Sequence, residues 1–520
     1  MIERLVQFAL QQRVFVLLAT VGLLVFGAYA LSNLPVEAFP DVQDVQVQIV
    51  TQYRGRAPEE VERMISKPIE VEMSGVPHVT QLRSVSITGL SVVTLIFADN
   101  TDDYFARQQV LEKLQNVNLP TGIQPQLAPL TTAVGEIFRY TVRGPEGMPL
   151  TDLRTVQDWI IRPALRRVGG VADIVSFGGA IREIQVKANP GRLERHGVSL
   201  QQLSDALANN SANGGGGLLQ RGDEALVIRS VGLFSSLDDI RRSVVVSRNG
   251  HPVTVGDLAE VAYGERERSG VVAFDNSDDV VEGIVDMTKG QDPDKVIGAL
   301  RAALAQVAPQ LPPGVRIEPF YDRTDLIRHT VHTVGENMVV GAALVVGILM
   351  IFLRSWSAAL IVASVIPLSL LFAFSLMHIR GVSANLISLG AVDFGIIIDS
   401  AVVLVEALMV RLARDRHDAT TRMGLGHRMH VLKQTTVSMG HPIIFSKAII
   451  VLAFLPIFTF QRVEGKIFTP MAFTLSFALV GAVILTMTLV PALLTFQMTG
   501  DRLREKHLAW MDRLQAAYRA

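Results

Sequence analysis

Residues 14–31 read VFVLLATVGLLVFGAYAL, eighteen consecutive positions without a charge. Five further apolar stretches follow position 335, at about 337–353, 358–377, 384–410, 436–460 and 469–497. Crossing about 30 Å of hydrocarbon at about 1.5 Å per residue takes roughly 20 residues, so each stretch is long enough or nearly so to span a bilayer. The first is too long, and begins too far from the terminus, for a cleaved signal peptide, and Leu31-Ser32-Asn33 lacks the small-residue cleavage pattern. It reads as a retained anchor. Six spans are expected, which removes most soluble architectures from consideration.

Lys and Arg counts in the short loops orient those spans. With the N-terminus inside, cytoplasmic segments carry fourteen Lys and Arg, six of them in 411–435 and five after residue 500. The short outside loops carry three, Arg380, Arg462 and Lys466. The bias places residues 33–335 on the outer side, which in a Gram-negative cell is the periplasm. The expected division is therefore an N-terminal segment and first span over 1–32, an outer domain over 33–335, five spans over 336–498, and a cytoplasmic amphipathic tail over 499–520.

Composition narrows the function classes. The 520 residues hold 48 Lys+Arg against 49 Asp+Glu, so no basic footprint points to a nucleic-acid partner. With no cysteine, a disulfide framework, a thiolate zinc site and a cysteine nucleophile are all excluded. No motif calls for a resident cofactor. The four glycines at 214–217 have no Lys-Ser after them and read as a flexible turn, not a phosphate loop.

The outer segment is patterned like folded domains. An alternating strand over 44–53 precedes a charged amphipathic helix over 58–73, strands over 78–87 and 91–97 around a Gly89 turn, a helix over 102–117 and a strand over 136–142. That order, β-α-β-β-α-β, is the ferredoxin-like motif. A second round starts with a helix over 151–167 and strands over 172–177 and 181–187. It is interrupted over about 210–270, then finishes with strand 281–287, helix 293–307 and strand 315–320. The expected fold class is thus an α-helical polytopic membrane protein with a large α+β periplasmic domain of two ferredoxin-like subdomains, the second carrying an insertion.

The fourth apolar stretch, ANLISLGAVDFGIIIDSAVVLVEALMV, contains Asp393, Asp399 and Glu406. Each charge costs on the order of 2.5–3.5 kcal/mol to insert, so three in one span require a reason. At about 100° per residue, Asp399 and Glu406 share a helix face about 10 Å apart, whereas Asp393 lies on another. Low dielectric disfavours the charged form of a carboxylate, so a group placed there can load and unload protons. Structural roles compete with that reading: Glu406 near an interface can be simply solvated, and a mid-span carboxyl can be a neutral hydrogen-bonding group. Lys447, in the fifth stretch, is left to pair with Asp399 or Asp393, or to snorkel.

The stretch AVDFGIIIDSAVVLVEA is similar to the DFG-x3-D-x6-E signature of resistance–nodulation–division (RND) transporters, specifically the heavy-metal efflux branch. The segment from PIIFSKAIIVLAFLPIF through VEGKIFTPMAF to TMTLVPAL resembles that branch throughout, as do YFARQQVLEKLQ, GEIFRYTV, GVADIVSFGG and PPGVRIEPFYDRTDLI. The resemblance covers essentially the whole chain. It implies proton antiport through Asp393, Asp399 and Glu406, with protons and metal cations as the transported species. It also implies a docking insertion at about 210–270, a homotrimer in the inner membrane, a periplasmic adaptor and an outer-membrane channel. Glu136 and Asp173 lie in porter segments and are the candidate metal ligands, against a reading as solvated surface carboxylates.

Three departures from the family pattern bear on these expectations. Members run to about twice this length, with a second six-span half that contributes relay partners. Ala407 stands where an asparagine commonly follows the glutamate, and Ile397 and Leu404 occupy positions where copper and silver exporters carry methionine. Soft thioethers suit Cu(I), whereas carboxylates and imidazoles suit divalent ions, so Zn, Co, Cd or Ni is the expected cargo. Three readings stay open at this point: half of a proton-driven divalent-cation exporter, a truncated and non-transporting fragment, and an RND-fold accessory of protein translocation.

Overall fold

The computed structural model describes residues 2–34, 36–37, 41–248, 250–268, 270–277, 279–353, 355–385, 390, 394–418 and 425–498. Asp393 and the tail expected over 499–520 lie outside the described residues. The chain forms two compact units, one of Met1–Glu136, Met287–Lys295 and Asp322–Ala520, the other of Ile137–Asp286 and Val296–Tyr321.

The first unit contains a helical bundle built from α1 (Ile2–Gln11), α2 (Arg13–Asn33), α3 (Arg323–Leu353), α4 (Trp356–Arg380), α5 (Phe394–Asp418), α6 (Leu425–Ala453) and α7 (Arg462–Met498). Helix α4 is the centre: it packs on α2, α3, α5 and α7, and it buries Ala359, Val362, Ile366, Ala373 and Met377 in the bundle core. Small residues permit the closest approaches. A side chain at Gly27 would collide with Leu371, and one at Gly481 with Phe372. Ser355 caps the N-terminus of α4 and Gly381, at φ +66°, ends it in the left-handed conformation.

Among the described residues, four helical segments are long and apolar enough to cross a membrane: Arg13–Asn33, Trp356–Arg380, Gly426–Thr459 and Arg462–Phe496. Among the described residues, the apolar part of helix α3 is Val339–Ile351; the helix begins well before the expected 337, since about four further turns of mixed polarity continue its backbone hydrogen bonding back to Arg323. In the fourth stretch, Ala384–Asn385 pairs in parallel with Val36–Glu37, and α5 then runs on to Asp418, past the expected end at 410.

The same unit holds a four-stranded sheet of β1 (Gln46–Gln52), β2 (Val79–Ile87), β3 (Leu90–Phe97) and β4 (Gln126–Leu127), ordered β2-β3-β1-β4. Its helices, Pro58–Met73 and Asp103–Leu114, bury Val61, Ile65, Ile69, Met73, Ala106 and Val110 against Val47, Ile49, Val93 and Leu95. The first helix carries a π-turn over Glu62–Ser66. It sets the Ser66 hydroxyl 2.7 Å from those of both Ser86 and Ser91.

The second unit repeats the plan with β5 (Glu136–Arg143), β6 (Val171–Phe177), β7 (Arg182–Ala188), β8 (Gly214–Arg221), β9 (Glu224–Ser230), β10 (Ala259–Glu265), β11 (Val281–Met287) and β12 (Arg316–Asp322). Its sheet has the order β12-β5-β11-β6. The first helical stretch again contains a π-turn, over Gln157–Ile161. Buried Gln157 accepts from the Tyr140 hydroxyl at 3.1 Å and donates to Ser176 at 3.2 Å.

Three sequence expectations are corrected. Strand β5 (Glu136–Arg143), read above as the last strand of the first round, lies between β12 and β11 in the second sheet, and the two-residue β4 (Gln126–Leu127) closes the first; alternation marks a strand but not its sheet. Strand β7, assigned above to the second α+β round, pairs antiparallel with β10 from Arg182↔Glu265 to Ala188↔Ala259 and takes no place in the four-stranded sheet. The interruption of that round therefore begins at β7, ahead of 210. Alternation marks 181–187 as a strand but does not name its neighbour. The glycine run is also not a turn. Gly214–Gly217 open β8, which pairs with β9, and the turn falls at Gly222 with φ +63°. A Cβ at Gly216 would strike Ile228, close to the register shift between Val227 and Arg229, so the glycine makes room for the irregular partner strand. Every residue of this hairpin is exposed.

Candidate functional site

Helix α5 presents two faces. Ile397, Ala401, Leu404, Val405 and Leu408 are buried in the bundle, whereas Ile396, Asp399, Val403 and Glu406 are exposed. The exposed four fall at i, i+3, i+7 and i+10, one stripe of the helix. Asp399 and Glu406 thus share a face, as their spacing predicts.

Lys447 approaches that stripe from α6. Its side chain is 4% exposed, and its Nζ donates to Asp399 Oδ2 at 3.2 Å and to the Ile396 carbonyl at 2.8 Å. The Asp399 side chain is 57% exposed. The buried member of the pair is therefore the cation, and the carboxylate keeps one side open. Of the carboxylates the sequence offered, Asp399 is the one in contact; Asp393 lies outside the described residues. The Ile396 carbonyl was not foreseen, because every residue carries such a group and nothing in a side-chain pattern singles one out.

Other ionisable side chains among the described residues have their own surroundings. Asp173, in the second unit, accepts from Arg162 at 3.2 Å and lies 3.7 Å from Arg166. Glu136 is exposed at the start of β5. His378 packs edge-on against Tyr29 at 5.9 Å, and His441 is exposed. Among the described residues, no group of three or more His, Asp or Glu side chains is gathered closely enough to hold a metal ion.

Elsewhere the second unit carries strong local electrostatics. Arg139 pairs with buried Glu282 at 2.7 Å, and Arg143 with Glu318 at 2.7 Å. The guanidinium groups of Arg139 and Arg143 lie over the rings of Phe320 and Phe274, which touch each other at 4.7 Å. Hydrogen bonds from Ser235 and Ser236 hold the Asp239 carboxyl down at about 2, closing the cap of the helix Leu237–Arg242.

Residues 5–520 match the model of the AcrB/AcrD/AcrF family. The chain is 41% identical over 526 residues to the cation efflux system protein CzcA of Alcaligenes sp. (strain CT14), covering 99% of this chain and 49% of that protein. It is 38% identical to the nickel and cobalt resistance protein CnrA of Cupriavidus metallidurans, with 95% and 49% covered. A solved structure described as a heavy metal efflux pump superposes with a TM-score of 0.85 at 38% identity, covering 96% of this chain and 49% of that one. The chain spans about half the length of the curated relatives it matches.

Proposed function

The chain belongs to the AcrB/AcrD/AcrF family, on the heavy-metal efflux branch of the RND transporters, and from that premise we propose that it is one half of a proton-driven exporter of divalent cations. In this reading it is a secondary transporter and not an enzyme. All six helices α2 to α7 span the inner membrane, and the two α+β units are ferredoxin-like porter subdomains on the periplasmic side. The sheet orders β2-β3-β1-β4 and β12-β5-β11-β6 support that description.

The observation that carries the proposal is the Lys447–Asp399 pair facing an otherwise open stripe of α5. A carboxylate with one side held by an ammonium and the other accessible can exchange a proton while its charge stays partly compensated. Asp399 is the central relay group, Glu406 continues the same face, and Asp393 is assigned to the relay through the family motif alone. Lys447 is the counter-charge. The open stripe supports packing against a second six-span half. A homotrimer, a periplasmic adaptor and an outer-membrane channel complete the pump.

The cargo is proposed to be of the Zn, Co, Cd or Ni class. Positions 397 and 404 of α5 carry Ile and Leu where a thioether would suit Cu(I), and the relatives named above are cation, nickel and cobalt systems. Co-expression with a second half should confer metal resistance that Asp399→Asn abolishes at unchanged protein level. Unchanged resistance in that variant removes the relay assignment. A lack of resistance from the unmutated chain under the same conditions supports the competing reading of a non-transporting fragment.

A further inference from the structure

Helix α3 carries a ligand pattern that the proton relay does not use. His332 and Glu336 are four residues apart and so lie on one face, about 6 Å apart along the axis. His332 Nδ1 stands 3.8 Å from Glu336 Oε2, and the two side chains are 73% and 67% exposed. Both precede Val339, where the apolar part of the helix begins, so the pair sits at the polar, N-terminal end of α3.

The separation is the informative quantity. At 3.8 Å the two atoms are too far apart for a good hydrogen bond. Two donors each about 2.1 Å from a common tetrahedral ion sit about 3.4 Å apart, and cannot exceed about 4.2 Å in any geometry. The observed spacing falls inside that limit, so little movement is needed to close both ligands on one ion. Imidazole and carboxylate together suit Zn, Co or Ni rather than Cu(I). His329 lies one turn earlier, but about 10 Å along the axis from Glu336, too far to share an ion with it. A site with two protein ligands and the rest water exchanges its ion readily, unlike the closed four-ligand sites of structural zinc.

We propose that His332 and Glu336 form a two-ligand capture site for a divalent transition cation at the polar end of α3. The site is independent of the proton-relay reading, since binding can be measured without a gradient. Full-length protein, stripped by chelator and purified in detergent, is titrated with Zn²⁺ by calorimetry. A parallel Cu²⁺ titration is read by electron paramagnetic resonance for a single imidazole nitrogen. His332→Ala and Glu336→Gln should each weaken one Zn²⁺ site by about tenfold or more, and His332→Ala should erase the nitrogen coupling. His329→Ala and Asp399→Asn should leave both signals intact. Because the two side chains are exposed, folding of the variants is checked directly by circular dichroism. Unchanged affinity and stoichiometry in both site variants overturns the proposal, as does loss of the site in His329→Ala.

Discussion

The ammonium of Lys447 on α6 lies 3.2 Å from Oδ2 of Asp399 on α5 and 2.8 Å from the Ile396 carbonyl one turn away. One buried side chain thereby joins two helices through both a charge and a backbone acceptor. The burial is lopsided, and that asymmetry fixes which deletion is worse. Asp399→Ala strands a buried ammonium and should destabilise the protein by about 1–3 kcal/mol. Lys447→Met, which leaves a half-solvated carboxylate, should cost less, and the double variant should recover most of the Asp399→Ala loss. Unfolding in mixed detergent gives the coupling directly, and a coupling indistinguishable from zero would show that the pair has no energetic content.

Asp279, in the second unit, supplies an acid-sensitive contribution. The Arg268 guanidinium, donating to its two oxygens at 2.5 and 2.9 Å, holds its carboxyl below the usual carboxylate range. A depressed folded value means the stabilisation is present above the unfolded value of about 3.8 and lost as pH falls through the folded one. Thermal melts in acid should show the native protein shedding about 0.5–1 kcal/mol below pH 4 that Asp279→Asn has already lost. Identical acid slopes for the two proteins would exclude the effect.

Gly283, in the middle of β11, faces the ring of buried Tyr140, and any Cβ placed there would overlap it. Gly283→Ala should therefore cost about 1–3 kcal/mol through overpacking. Combining it with Tyr140→Ala should give less than the sum of the two single effects. A neutral Gly283→Ala measured by denaturant unfolding would mean that the sheet yields at this point.

The β8–β9 hairpin buries nothing, and its base is already closed by Asn213 Oδ1 accepting from the Gly232 amide at 3.1 Å. Excising residues 214–231 and joining Asn213 to Gly232 should change unfolding stability by no more than about 0.5 kcal/mol. A loss several times larger would make the hairpin a contributor to the fold of its unit.

How much could be read in advance depended on whether a residue's role is set by its neighbours in sequence. Strand β11 and the helix Pro293–Val307 match their expected limits, because a β-branched run and a proline in the first helical turn are local signals. The starts of α3 and α6 come earlier than expected, since segments with mixed polarity, such as the four or so turns after Arg323, look like loop until an apolar helix extends them. The partner of β7 and the strand role of Gly214–Gly217 depend on register with distant segments, which no local pattern encodes. In the candidate site, Lys447 stood out as a charge in an apolar stretch, free to pair with Asp399 or Asp393 or to snorkel. The backbone carbonyl that anchors it was not.

The π-turns at Glu62–Ser66 and Gln157–Ile161 each interrupt the helical stretch that follows the first strand of a four-stranded sheet. Each inserts one residue beyond the α-helical count, which makes them look dispensable. They are not, because everything downstream is phased to the surplus. Removing a single residue from either turn would rotate the rest of the helix by about 100°, swinging Ile69 and Met73, or Leu165, off the apolar surface they now fill. Point substitutions can drift freely along the exposed sides of these helices, but their length cannot.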